Sequence, residues 1–193
     1  QDGVSLAAAS RTVALTLESE SGILENAPET SNFDEKLSDQ WYVKYMDYLY
    51  GQGYLDSGVI QADERSATSA VTYAVLSDWA KKASEEGNGE TDALSYVDAG
   101  DRAKKAVSSE NFWKFYDAFR AAADPEGAVA EVETDLYGTP DNVDGAPAWT
   151  AYTRDGTFQF EGLYLDNYID RKIRFLARDD EILKVETMVS DEI

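Results

Sequence analysis

Carboxylates are the only abundant acid–base chemistry in this chain. It has 38 Asp and Glu against 17 Lys and Arg, with no histidine and no cysteine. Without imidazole there is no Ser-His-Asp arrangement and little basis for a zinc, copper or haem site. Without thiols there is no disulfide, thiolate ligand or cysteine nucleophile. Acidic pairs stand at Asp34-Glu35, Glu85-Glu86, Asp166 with Asp170, and Asp179-Asp180-Glu181. A glycosidase needs two carboxylates across a cleft at a set separation, one of them in an apolar pocket that raises its pKa. In so acidic a chain such pairs arise by chance, and no pair is set apart by its neighbours. Asp141-Asn142-Val143-Asp144-Gly145 has the composition of a calcium loop but lacks its alternating ligands and distal Glu, so it reads as a turn. Gly51, Gly53 and Gly58 are not followed by Lys-Ser/Thr, which excludes a phosphate loop. No cofactor and no metal is expected.

A second stretch with chemical potential is aromatic: Trp41, Tyr42, Tyr45, Tyr48, Tyr50 and Tyr54. Flat rings stack on the apolar faces of pyranoses, so the run is a candidate sugar platform. In the competing reading Trp41, Tyr45 and Leu49 pack a helical core and the other tyrosines lie half buried with wet hydroxyls. The spacing favours packing. The candidate ligand- or partner-binding residues are Trp41, Tyr42, Tyr45, Tyr48, Tyr54 and Thr68. The formal charge of −21 repels phosphate backbones and anionic lipid, which argues against nucleic-acid and membrane-surface roles. No apolar run approaches the ~20 residues of a membrane-spanning helix. The acidity itself fits the solvating surface of a salt-loving organism or a calcium-rich exterior.

The elements that would position these residues follow from periodicity. Leu6, Ala9, Ser10, Val13, Ala14 and Leu17 recur at helical spacing behind a Ser5 N-cap, predicting a helix over 4–17. Tyr45, Tyr48, Leu49 and Gln52 share one face of a helix that starts at Trp41 and stops at Gly53 in a left-handed cap. Asp63-Glu64-Arg65-Ser66 makes a turn. A helix opened by Ser66-Ala67-Thr68 then runs to about Ala83, burying Ala67, Ala70, Val71, Ala74, Val75 and Trp79. Residues 84–91 read as an exposed connection. Leu94, Tyr96 and Val97 form a short piece of undecided type, and 99–107 a short helix. Ser108-Ser109-Glu110 caps a helix with the stripe Phe112, Phe115, Tyr116, Phe119, which stops at Asp124-Pro125. Pro125, Pro140 and Pro147 then cluster with Gly127, Gly138 and Gly145 as a connection. Beyond it the period falls to 2. Residues 148–161 and 172–189 read as two hairpins turning at Arg154-Asp155-Gly156 and Asp179-Asp180, enough for a small barrel or a sheet packed on helices. The fold class is α+β: a helical bundle over 1–125, a connection over 126–147 and a small, mainly antiparallel β region over 148–193.

The central unit combines Phe33-Asp34, Trp41-Tyr42, Tyr45, Leu49 and Gly53-Tyr54-Leu55 with a second helix carrying Thr68. It resembles the S-layer homology (SLH) module. In that family a Phe-Ser-Asp loop precedes a Trp-started helix, a Gly-hydrophobic stop and a helix opened by Thr-Arg-Ala-Glu. The resemblance covers about one module, with partial copies on either side. It implies a helical bundle, a Thr/Glu capping box, and an Arg that grips an anionic, often pyruvylated, wall polysaccharide. Thr68-Ser69-Ala70-Val71 and Ser5-Leu6-Ala7-Ala8 keep the cap and lose both Arg and Glu. The tail from Pro147 to Leu183 resembles the β region near the catalytic domain of clostridial SpoIID-like cell-wall proteins. Their transglycosylase motifs have no counterpart in these 193 residues. These resemblances imply a non-catalytic, secreted or cell-envelope module of a Gram-positive organism. It would position a cell-wall protein or bind wall polysaccharide or an envelope protein. The alternative is a carboxylate-dependent glycan hydrolase or lyase, which a cleft with a buried, unpaired Asp or Glu would favour.

Overall fold

The structure, a computed structural model, describes residues 3–33, 35–56, 67–86 and 104–190. The chain divides into two compact units, Gln1–Glu126 and Gly127–Ile193. The first is helical and the second is a β-barrel, so the α+β class holds.

The helical unit contains α1 (Leu6–Leu17), α2 (Glu20–Glu25), a 3-10 turn at Glu35–Leu37, α3 (Val43–Gly51), α4 (Tyr73–Glu86) and α5 (Ser109–Ala123). The Ser5 and Ser108 hydroxyls cap α1 and α5 by accepting from Ala8 N–H and Asn111 N–H. Nearly every face of α1 is buried, including Ala7, Arg11, Thr12, Leu15 and Thr16 beyond the expected stripe; Leu17 is only half buried. A helix buried all round is a central one, and the short Ala, Ser and Thr side chains let neighbours approach closely. On α5, Phe112, Phe115, Tyr116 and Phe119 are all fully buried, as their spacing predicts.

Helix α3 ends in a Schellman motif. Gly53 has φ +83°, its N–H donates to Tyr50 O at 3.1 Å, and Tyr54 N–H donates to Leu49 O at 2.8 Å. Gln52, assigned to the buried face, is exposed. Gly53→Ala places a Cβ in a left-handed conformation, 3.3 Å from Lys82 Nζ. It is expected to cost about 1–2 kcal/mol in a denaturant titration.

Three extended segments, 3–5, 70–72 and 106–108, bridge one another in a ring. Ser5 pairs with Ala70, Thr72 with Ala106 and Ser108 with Gly3, all antiparallel. In each bridge the last residue of one segment meets the first of the next, and each segment runs straight into α1, α4 or α5. The hydrogen bonds repeat in step. Leu6 N–H reaches Ser69 O at 2.8 Å and Tyr73 N–H reaches Lys105 O at 3.2 Å. Val71 N–H reaches Val4 O at 2.8 Å and Val107 N–H reaches Val71 O at 2.9 Å. This ring corrects two expectations. The second long helix starts at Tyr73 after Thr72, not at Ala67 beside Thr68, because 70–72 are held extended by their bridges. It buries Tyr73, Leu76, Trp79, Ala80 and Ala83, whereas Ala70, Ala74 and Val75 are only half buried. Residues 106 and 107, expected at the end of a short helix over 99–107, are likewise held extended by the bridge at Ala106 and the Val107 N–H bond to Val71 O. Residues 84–86, expected as loop, complete α4. The readings at Asp34, Gly58, 63–66 and 87–103 lie outside the described residues.

The Tyr116 hydroxyl is buried against the Thr16 hydroxyl at 2.8 Å. Desolvation disfavours the phenolate, so its pKa is pushed up to about 12, the Thr16 bond lowering it only in part. A raised folded-state pKa means that the native state holds its proton when the unfolded state has lost it. The stabilisation is whole below pH ~10 and is lost as pH rises towards 12, by about 2–3 kcal/mol. Tyr116→Phe is expected to flatten that alkaline decline, read from melting temperatures between pH 9 and 12.

The β unit comprises β1 (Val129–Gly138), β2 (Thr150–Thr153), β3 (Gly156–Gln159), a 3-10 turn at Asp166–Tyr168, β4 (Arg171–Arg178) and β5 (Glu181–Ser190). They close into a Greek-key barrel in the order β1-β2-β3-β5-β4. Both expected hairpins are present, with Ala151 opposite Phe158 and Arg178 opposite Glu181. Four ladders are antiparallel. The fifth, β3 with β5, is parallel and rests on Gln159 opposite Glu181, with Gln159 N–H donating to Asp180 O at 2.7 Å. The stretch 126–147 is not simply a connection, because β1 lies within it. Pro125 and Pro140 flank that strand rather than interrupt it. Val132, Thr134 and Leu136 alternate with Glu131, Glu133 and Asp135 along it, and Arg174 on β4 pairs across the ladder with Glu133 at 3.0 Å. Leu136, Phe158, Phe160, Leu165, Ile173, Phe175 and Ile182 fill the barrel.

Candidate functional site

The helical unit carries a cleft of about 290 Å³ between the loop after α2 and the start of α3. It is lined by Ala27, Pro28, Ser31, Ser38, Gln40, Trp41, Val43, Lys44 and Asp47. Val43, Lys44 and Asp47 project from one side of α3 because they stand at i, i+1 and i+4. Trp41 lies in the turn before α3, half buried, with its ring edge-on to the buried Tyr42 at 5.5 Å.

The cleft is built by hydrogen bonds to one buried acid. Asp47 Oδ2 accepts from the Ser31 hydroxyl at 2.7 Å. Its Oδ1 accepts from Asn32 N–H at 3.0 Å and from the Asn32 side-chain amide at 3.1 Å. Ser31 Oγ in turn accepts from Phe33 N–H at 3.0 Å. These bonds hold loop 31–33 onto α3. Lys44 is also engaged: its Nζ is 2.9 Å from Glu20 Oε2 and 5.0 Å from the Tyr45 ring centroid. The Tyr45 hydroxyl donates to the other oxygen of Glu20 at 2.8 Å, so one carboxylate ties α2 to two residues of α3.

This arrangement redistributes the sequence-derived candidates. Tyr42, Tyr45, Tyr48 and Tyr54 are buried and present no ring face to a ligand. Trp41, which the packing reading assigns to the helical core with Tyr45 and Leu49, is only half buried and lines the cleft. Thr68 is exposed on a short helical turn and does not line it. Ser31, Gln40, Lys44 and Asp47 are cleft residues that the aromatic pattern did not single out.

No family model, curated protein or solved structure matches this chain. Its chemistry therefore rests on its own residues. Of the acidic pairs, Glu35, Glu85, Asp170, Asp179 and Asp180 are exposed, Asp166 is half buried and Glu181 is buried. Asp166 accepts from the Thr139 hydroxyl. In the calcium-like stretch, Asn142 Oδ1 accepts from Thr139 N–H at 2.8 Å, and Val143 N–H returns to Thr139 O at 3.0 Å. Asn142 closes a turn there, the role its composition also permits. No helix of the described residues is long and apolar enough to cross a membrane.

Proposed function

We propose that the protein is a non-catalytic, extracytoplasmic module of the cell envelope, built on an SLH-like helical unit. It binds a wall polymer or an envelope protein and so positions the chain that carries it. The observation that carries this reading is the ring of three bridged segments, each opening a helix after Ser5, Thr72 or Ser108. Three equivalent vertices are what three SLH-like copies in tandem would provide, and the resemblance in the sequence covers about one module with partial copies on either side. The β unit is the counterpart of the SpoIID-like resemblance, without the transglycosylase motifs of that family.

The vertices also bear on the ligand. The residues that follow Ser5, Thr72 and Ser108 at the helix starts are Leu6, Tyr73 and Ser109, none of them basic. Leu6 and Tyr73 are buried. The arginine grip on an anionic polymer has no equivalent at these positions, and the net charge of −21 opposes such a ligand. The rival reading, a glycan hydrolase or lyase, requires a buried acid free to exchange a proton. Asp47 is the buried acid of the cleft, but three donors hold its oxygens, which favours a structural clamp.

Co-sedimentation with purified Gram-positive cell walls tests the reading, using an unrelated protein of similar charge as control. The expected result in 1 M salt, where long-range repulsion is screened to about 3 Å, is retention above the control, with no release of reducing ends or unsaturated products on prolonged incubation. Product release would establish the rival. Retention no better than the control would remove the module.

A further inference from the structure

The cleft beside Trp41 has the chemistry of a ligand site, and its details narrow the ligand class. Ala27, Pro28, Val43 and Trp41 contribute apolar surface, while Ser31, Ser38, Gln40 and Asp47 supply donors and acceptors. Its volume of about 290 Å³ sits near the ~300 Å³ lower end of small-molecule sites, enough for one ring but not for a peptide segment. The one basic residue lining the cleft, Lys44, is paired with Glu20. An anionic ligand would have to compete with that pair, and it meets the field of a −21 chain. A carboxylate offers about four acceptor positions. Asp47 uses three on Ser31 and Asn32, which leaves one for a ligand hydroxyl.

We propose that this cleft holds a single neutral pyranose residue of a glycan, packed on Trp41 and hydrogen-bonded to Asp47 and Gln40. A pyranose combines an apolar C–H face with a rim of hydroxyls, and the cleft combines an aromatic ring with hydrogen-bonding side chains. The proposal rests on the envelope-module reading for the source of the glycan, and on the cleft alone for its chemistry. It places recognition in the loop before α3 rather than at the residues that follow Ser5, Thr72 and Ser108.

The test is a titration of the isotope-labelled full chain with a neutral N-acetylated trisaccharide and with methyl glucopyranoside, followed by backbone and indole N–H shifts. The expected result is saturable shifts at Ser31, Gln40, Lys44 and the Trp41 indole for at least one probe. Trp41→Ala should weaken binding at least tenfold and Trp41→Phe less. Ser38→Trp, which fills the cleft from an exposed position and spares the core, should abolish it with the melting temperature unchanged. Saturable binding that leaves the Trp41 indole unmoved, or that survives Ser38→Trp, would overturn the proposal. So would no binding of either sugar. If walls are retained while the cleft stays silent, the module stands and the cleft assignment falls. If the cleft binds sugar and walls are not retained, the reverse holds.

Discussion

Replacing Trp79 with Ala is expected to destabilise the helical unit by about 3–5 kcal/mol, the range for truncating a fully buried large aromatic. Trp79 has no exposed surface, and its indole N–H donates to Tyr54 O at 2.8 Å. That carbonyl belongs to the residue that completes the Schellman motif of α3. The indole thus fills the core from α4 and satisfies a main-chain acceptor at the end of α3. Truncation leaves both a cavity and an unpaired carbonyl. Trp79→Phe keeps most of the volume and loses only the hydrogen bond, so a cost of about 1–2 kcal/mol is expected. Urea denaturation of both variants separates the two contributions. A cost below about 1 kcal/mol for the alanine variant would mean that α4 does not pack as described.

Asp47→Ala is the second large effect, about 2–4 kcal/mol. The residue is 6% exposed and receives three hydrogen bonds, and bonds to charged groups contribute about 1.5–3 kcal/mol each before loop 31–33 relaxes towards water. Asp47→Asn keeps one acceptor for Asn32 and turns an amide towards Ser31, so a smaller loss is expected. The two variants should differ in amide exchange at Asn32: fast in Asp47→Ala, still protected in Asp47→Asn. Equal protection in both would show that the loop is held by something other than this carboxylate.

Much of the architecture was legible because local chemistry and tertiary structure agree. Ser5 and Ser108 cap helices, Gly53 takes the left-handed position, the Phe112–Phe119 spacing is a buried stripe, and the Arg154-Asp155 and Asp179-Asp180 turns close hairpins. Misreadings arose where tertiary contacts choose between equal local options. Thr68 and Thr72 are both plausible helix openers, and only the bridges at Ala70 and Thr72 decide between them. Strand β1 alternates correctly, but prolines at 125, 140 and 147 draw attention to its ends rather than its interior. The cleft was least legible. Asp47 reads as one more acid in an acidic chain, and its role exists only because a loop sixteen residues earlier folds back onto it. The aromatic density around it pointed to a platform, yet four of those rings are needed for the core.

The most direct measurement of the central claim is wall binding as a function of salt. A −21 chain with no arginine directly after Ser5, Thr72 or Ser108 lacks the arginine grip at those positions to offset long-range repulsion from an anionic wall polymer. That repulsion fades as the Debye length falls from about 10 Å at 0.1 M to about 3 Å at 1 M. Co-sedimentation with polymer-bearing walls should therefore be weak at low salt and increase as salt is added. Walls stripped of anionic polymer should show no such trend. Tight binding at low salt that disappears at high salt would contradict the account, because it would mean that basic residues such as Lys44 or Arg65 grip the polymer in the manner the missing arginines would have done.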